Sequence, residues 1–404
     1  MCGIYGIINS KEKLDADKFK AQLKLLSHRG PDGSDCWVSD DRNTALGHTR
    51  LSIIDISNCS KQPMVSPCGN FIISYNGELY NYYEVRKDLQ QKGVTFQTSG
   101  DTEVILKAYI FWGEECLNKF NGMFAFCIYC NHHINPHAFL ARDGSGEKPL
   151  YYSLDEKQLI FSSELKSFAA DKSTIDFEAL NYYLFAGHTP QELSIIKDVK
   201  KLSAGNFIIL DFKTGKFKNT EWWSLPDHDP DNISVNFNET ILEVDELLRN
   251  SVELRLRADV PVGVLLSGGL DSSLITSYAA RYSSKKIQTY SLKINDHSLD
   301  ESKHARMIAN YFDTNHTELE VGEFGLNSFD NFLNYIDDPL ADSSIIASYV
   351  LSTRISSEVK VALGGDGGDE LFGGYGIYQD ILSSLQFLKY APKTLIYLVS
   401  KIVQ

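Results

Sequence analysis

Val262-Gly263-Val264-Leu265-Leu266-Ser267-Gly268-Gly269-Leu270-Asp271-Ser272-Ser273 reads as a short apolar strand that runs into a serine- and glycine-rich turn and then a helix. A short apolar run closed by turn residues suits a buried strand. The turn is not a Walker A loop, because the G-x-x-x-x-G-K spacing and its lysine are absent. The physics is related. Glycines let backbone N–H groups approach phosphate oxygens, serines add donors, and a helix N-terminus favours an anion. Bare phosphate would repel Asp271, so its place directly behind the glycines suits a Mg²⁺ ligand.

Outward from this loop, strands and helices alternate. A helix is predicted over 239–257. Strands follow at 262–266, 289–294, 317–321 and 359–363, and helices at 272–281, 301–311 and 344–357. That alternation predicts a doubly wound parallel sheet. The last strand enters Gly364-Gly365-Asp366-Gly367-Gly368-Asp369-Glu370-Leu371-Phe372-Gly373-Gly374-Tyr375. Glycine loses the most conformational entropy on folding and crowded carboxylates repel, so this loop reads as a metal and phosphate site.

Upstream the pattern differs. Short apolar or alternating runs at 4–8, 71–75, 123–129, 138–141, 159–162 and 207–211 are strand candidates. Residues 102–112 form the clearest helix, with Asp101 and Thr102 as cap candidates. The segment Pro226-Asp227-His228-Asp229-Pro230-Asp231-Asn232 is polar and proline-marked. The reading is an α+β domain over 1–225, a linker over 226–238 and an α/β domain over 239–404.

The chain's 404 residues carry a formal net charge of −14, which argues against a nucleic-acid partner. No basic region followed by an apolar run marks a secretory signal, and no run approaches the ~18 apolar residues of a membrane helix. A cytoplasmic location is expected. All seven cysteines lie in the first third, and an odd count without a signal favours free thiols. Cys127 and Cys130 form a C-x-x-C within a run that reads as a buried strand, so zinc is disfavoured.

Cys2 becomes terminal when the initiator Met is removed. A terminal cysteine carries its own base, an α-amine of pKa about 8. Around it in sequence stand His28-Arg29-Gly30-Pro31-Asp32, Arg50-Leu51-Ser52-Ile53-Ile54-Asp55, Asn76-Gly77-Glu78 after a strand, and Ser99-Gly100-Asp101. A bidentate Arg suits an α-carboxylate, carboxylates suit an α-ammonium, and an amide with a glycine N–H suits an oxyanion.

This set, with Gly122-Met123-Phe124-Ala125-Phe126 and Lys148-Pro149-Leu150-Tyr151-Tyr152, resembles the class II glutamine amidotransferase domain of the N-terminal nucleophile hydrolases. The resemblance implies an αββα sandwich. It makes Cys2 the nucleophile, Arg50, Ile53 and Ile54 glutamine contacts, Asn76 and Gly77 the oxyanion hole, and Glu78 and Asp101 the α-amino partners. Both glycine-rich loops, with Asp300-Glu301 and Asp338-Pro339-Leu340-Ala341-Asp342-Ser343-Ser344, resemble the asparagine synthetase branch of the pyrophosphate-loop ATP enzymes. By that resemblance Ser267, Gly268, Gly269, Asp271 and Ser272 bind pyrophosphate. Leu265, Leu292, Gly364 and Gly365 border the nucleotide. Asp271 and Asp369 hold Mg²⁺, and Asp366 serves the amide-forming step. Glutamine, ATP and aspartate are the implied small molecules, and a homodimer is left open.

The chain departs from the family pattern at Gly144-Ser145-Gly146 after Arg142-Asp143, at Gly364 for a common serine, and at Ala204 before Gly205. Family members continue past the second glycine-rich loop, so an incomplete synthetase domain is expected. Other acceptors, such as a sugar or peptide carboxylate, stay open, as does a non-synthesising relative.

Overall fold

Alternation with period two organises the N-terminal residues into paired sheets. A computed structural model of the chain describes residues 1–9, 12–156, 158–168, 174–227, 236–293, 300–320 and 326–390. Most of the predicted linker, the end of the strand expected over 289–294, and the position closing the strand expected over 317–321 lie outside these residues.

In chain order the first elements are β1 (Gly3–Ile8), α1 (Ala16–Lys24), β2 (Gly33–Val38), β3 (Ala45–Arg50), β4 (Met64–Val65), β5 (Phe71–Leu79), α2 (Tyr82–Gln91) and α3 (Asp101–Trp112). Then come β6 (Gly122–Cys130), β7 (His137–Arg142), β8 (Tyr151–Asp155), β9 (Gln158–Ser162), α4 (Phe177–Ala186), β10 (Lys200–Lys201), β11 (Asn206–Asp211), β12 (Phe217–Glu221) and α5 (Phe237–Arg255). The remainder are β13 (Val262–Leu265), α6 (Leu270–Tyr282), β14 (Gln288–Lys293), α7 (Ser302–Tyr311), β15 (Asn315–Glu320), α8 (Leu326–Leu333), α9 (Ser344–Ile355), β16 (Val361–Leu363), α10 (Gly368–Phe372) and α11 (Gly376–Tyr390).

Two compact units emerge. One joins Met1–Pro261 with Val321–Val361, the other Val262–Glu320 with Ala362–Gln404. The first unit holds two six-stranded sheets, ordered β10-β8-β9-β1-β3-β2 and β12-β11-β7-β6-β5-β4. Their facing sides share one core. Ile4, Ile8, Leu46 and Phe161 of the first sheet pack with Ile72, Ala125, Cys127, Leu140 and Ile208 of the second. The intervening residues point outward, as a strand's two-residue period requires. Ile73, Phe126, Ile128 and Phe139 pack with Val104, Ile105 and Val85 of α3 and α2, while Tyr5 packs on Phe19 and Leu23 of α1. The layers therefore run helix, sheet, sheet, helix. Each fully buried Ile or Phe contributes roughly 1.5–3 kcal/mol by area bookkeeping.

The second unit holds a four-stranded sheet in the order β15-β14-β13-β16, with β13–β14 and β14–β15 parallel. The chain moves outward from β13 in one direction and then returns on its other side. This creates a topological switch point between β13 and β16, and ligands of such sheets bind outside the carboxyl ends of the strands there. The loops at those two ends are the glycine-rich ones. No helix among the described residues is long and apolar enough to cross a membrane.

Candidate active sites

β1 begins one residue after Cys2, so the sheet fixes the start of the chain. Gly3 pairs with Thr49 of β3, which brings the turn after Arg50 alongside. The Leu51 N–H donates to the Cys2 Sγ at 3.4 Å, and Arg29 Nε donates to the Cys2 carbonyl at 2.8 Å. Arg29 in turn pairs with Glu164 at 2.8 Å, where His28 Nε2 also bonds at 2.9 Å. Burial pushes the Cys2 thiol up, so it needs a base to ionise. Burial also lowers the α-amine of Met1, which precedes it, to about 6, helped by Arg29 and Lys148.

Cys2, Arg50, Ile53, Ile54, Gly77, Glu78 and Asp101 line one small pocket, together with Leu51, Ser60, Gln62, Tyr75, Gly100 and Thr102. Four segments far apart in sequence thus converge. Asn76 does not line it. Its side chain is 1% exposed, and neither amide atom has a hydrogen-bond partner among the described residues. Burying an amide without a partner is costly.

Two local expectations are corrected. Asn76, Gly77 and Glu78 do not follow a strand but lie within β5, because β6 pairs with it as far as Gly122 opposite Leu79. Asp101 does not cap its helix. Gly100 is the cap, and the Asp101 carboxylate accepts from Tyr75 Oη at 2.8 Å and from the Leu79 N–H at 3.1 Å. Burial raises the Asp101 carboxyl, against these hydrogen bonds. Glu78 is raised well above the usual range by burial and then by Asp101, with Lys148 and the amino terminus opposing.

Arg50 closes β3. Its Nη1 donates to Ser57 O at 2.9 Å and its Nη2 to Asp55 O, so the guanidinium is braced by the loop that follows. Gln62 had no sequence signal, yet it bonds the Tyr75 N–H at 2.7 Å and Thr102 Oγ1 at 3.2 Å beside the pocket. Arg29 stands in the His28–Asp32 motif, whereas Glu164 and Gln62 carry none, because the contacts that bring them to the site come from other segments. A roomier cavity of about 420 Å³ on the α1 side of the first sheet contains none of these groups.

In the second unit β13 delivers Ser267, Gly268 and Gly269 to the start of α6. Ser267 Oγ bonds Ser272 Oγ at 2.9 Å and accepts from the Gly269 N–H at 3.2 Å. Gly269 caps α6 without a side chain, so the first-turn N–H groups stay open to an anion. The second loop approaches closely. A Cβ on Gly368 would lie 2.6 Å from the Asp271 carboxylate, and one on Gly365 2.9 Å from the Ser272 N, so the two loops meet backbone against backbone. Asp369 follows in the first turn of α10, its Oδ1 against Gly374. Gly364 stands where Asp366 turns back, with a Cβ there only 2.3 Å from Asp366 Oδ2. Leu265 and Leu292 lie toward the carboxyl ends of adjacent strands.

Among the described residues no three His, Cys, Asp or Glu side chains form a metal cluster. Cys127 is wholly buried in the core between the sheets. Mg²⁺ fits the second unit differently, because it commonly takes one or two carboxylates plus substrate phosphates.

Residues 1–223 match the glutamine amidotransferase domain family, and residues 243–401 match the asparagine synthase family. A Methanocaldococcus jannaschii protein provisionally described as a glutamine-hydrolyzing asparagine synthetase is 34% identical, covering 100% of this chain and 81% of that one. Glutamine-hydrolyzing asparagine synthetase 1 of Bacillus subtilis is 36% identical, covering 96% and 61%. Asparagine synthetase B of Escherichia coli is 31% identical, covering 93% and 65%. The chain spans less than two thirds of the length of these last two.

Proposed function

The chain belongs to the family of glutamine-hydrolysing asparagine synthetases, and from that premise we propose that it releases ammonia from glutamine at Cys2 and uses MgATP to amidate a carboxylate, aspartate first among the acceptors. The convergence of Cys2, Arg50, Gly77, Glu78 and Asp101 on one pocket carries the reading. Once Met1 is removed, the terminal amine of Cys2 takes the thiol proton. Arg50 takes the glutamine carboxylate, and Glu78 with Asp101 takes the ammonium. The thiolate attacks the side-chain amide. The Gly77 N–H of the pocket lining, with the buried and unpartnered amide of its neighbour Asn76 turned toward it on binding, holds the oxyanion, ammonia leaves with the proton returned by the amine, and water cleaves the thioester.

In the second unit Ser267, Gly268, Gly269 and Ser272 take the pyrophosphate portion of ATP, and Leu265, Leu292, Gly364 and Gly365 border the nucleotide. Asp271 and Asp369 would hold Mg²⁺ against the phosphates, where it supplies charge neutralisation. The acceptor carboxylate attacks the α-phosphorus, pyrophosphate departs, and ammonia displaces AMP from the acyl-adenylate near Asp366. The test of the glutamine half is Cys2→Ala. Loss of glutamine hydrolysis, with wild type giving a terminal Cys2 by mass spectrometry, is expected. Hydrolysis at the wild-type rate would remove Cys2 from the mechanism.

A further inference from the structure

The pocket wall formed by Ile53 and Ile54 belongs to a loop between Arg50 and Ser57 that regular structure does not hold. From inside, Asp55 holds it. This residue sits at φ +48, a left-handed conformation uncommon outside glycine, and its Oδ2 accepts from the Ser99 N–H at 2.9 Å. From outside, Asp259 grips the same loop twice. The Asp259 Oδ2 accepts from the Asp55 N–H at 2.8 Å, and the Asp259 N–H donates to Ile53 O at 3.0 Å.

Asp259 lies beyond the residues matching the amidotransferase domain and within those matching the synthase, with only Val260 and Pro261 before β13. We propose that Asp259 is a positioning residue for glutamine binding, completing the glutamine pocket from the synthase part of the chain. This rests on the glutamine reading of that pocket. The Asp55 N–H and Ile53 O have no ladder to join, and the two Asp259 contacts satisfy both at once. A left-handed residue persists where its surroundings over-determine it, and the Ser99 and Asp259 contacts do so from opposite sides. The Asp55 carbonyl then receives Arg50 Nη2, so a shift at Asp55 misplaces the guanidinium as well as the two isoleucines. Asp259 does not touch the reacting thiol, so it acts on binding and not on the chemical step.

Steady-state glutamine hydrolysis by the full-length chain tests this. Asp259→Ala is expected to raise the KM for glutamine about tenfold, the scale of one hydrogen bond to a charged acceptor, while kcat changes by less than about twofold. Asp259→Asn keeps an acceptor oxygen and is expected to recover most of the KM, which also covers the case in which the alanine variant does not fold. An unchanged KM in a folded Asp259→Ala protein, or a fall in kcat at constant KM, overturns the inference while the Cys2 reading stands. A wild type that hydrolyses no glutamine overturns both.

Discussion

Glu78 and Asp101 line one pocket, where two carboxylates oppose each other's ionisation and Lys148 and the amino terminus offset this only in part for Glu78. Both are raised by burial, and Glu78 further by Asp101. A glutamine ammonium would reverse that balance, so binding should expel a proton. The sign follows from linkage. The empty pair holds a proton above the usual carboxylate range, the occupied pair does not, and affinity therefore rises with pH until the empty pair itself ionises. Calorimetry of glutamine binding to Cys2→Ala in buffers of different ionisation enthalpy reads the proton directly. No net proton, or uptake, would place the ammonium elsewhere. At this scale the sequence was legible where chemistry clusters in short motifs. Cys2, Arg50, Gly77, Glu78 and Asp101 each stand in a short motif, and they line one pocket. Asp259 and Glu164 were not legible, because the contacts that bring each to the site, with Asp55 and with Arg29, span more than a hundred residues.

At the scale of elements, the strand–loop–helix from β13 to α6 turns on Gly268. Its φ is +90, and a Cβ there would lie 2.6 Å from both Ala305 N and His304 Cβ of α7. Gly268→Ala therefore meets backbone strain of order 1–3 kcal/mol in addition to the collision. It should lower the stability of the second unit by at least that amount and weaken MgATP binding, with glutamine hydrolysis retained. Urea unfolding followed by hydrogen exchange on β13 and α6 checks it. Unchanged protection there would mean that the loop relaxes at no cost. Short apolar runs were readable as strands, and β6 and β7, apolar on both faces, extend the predicted runs by a residue or so at their ends. β2 was not readable. Its Gly-Ser-Asp-Cys-Trp-Val sequence is polar and half-exposed, and pairing with β3 alone makes it a strand. β5 outran its predicted end because Asn76, Gly77 and Glu78 look like a turn locally, yet β6 pairs with each of them.

For the whole molecule, division into two compact units should make the two proposed chemistries separable by mutation. Alternating strands and helices announced the parallel sheet, whereas the packing of residues 326–361 with the first unit has no local signal. It rests in part on remote pairs, Lys166 with Asp337 and Lys201 with Asp338 at 2.7 Å for the latter. Every proposed glutamine contact belongs to the first unit, and both glycine-rich loops to the second. Asp271→Asn should then weaken MgATP binding while glutamine hydrolysis persists. The substitution keeps size and removes charge, so a metal held against phosphates loses its ligand while Gly368 still packs on a group of the same shape. Glutamine hydrolysis in the same sample reports on folding of the first unit. Asp369→Asn should fail likewise if both carboxylates share one metal. Calorimetry with MgATP at several Mg²⁺ concentrations measures both variants against a wild type shown to bind. Equal affinity of wild type and Asp271→Asn across that series would remove the metal from Asp271. A loss that excess Mg²⁺ partly restores is the outcome that a weakened metal site requires, because binding of the ion and of the phosphates is then linked by mass action.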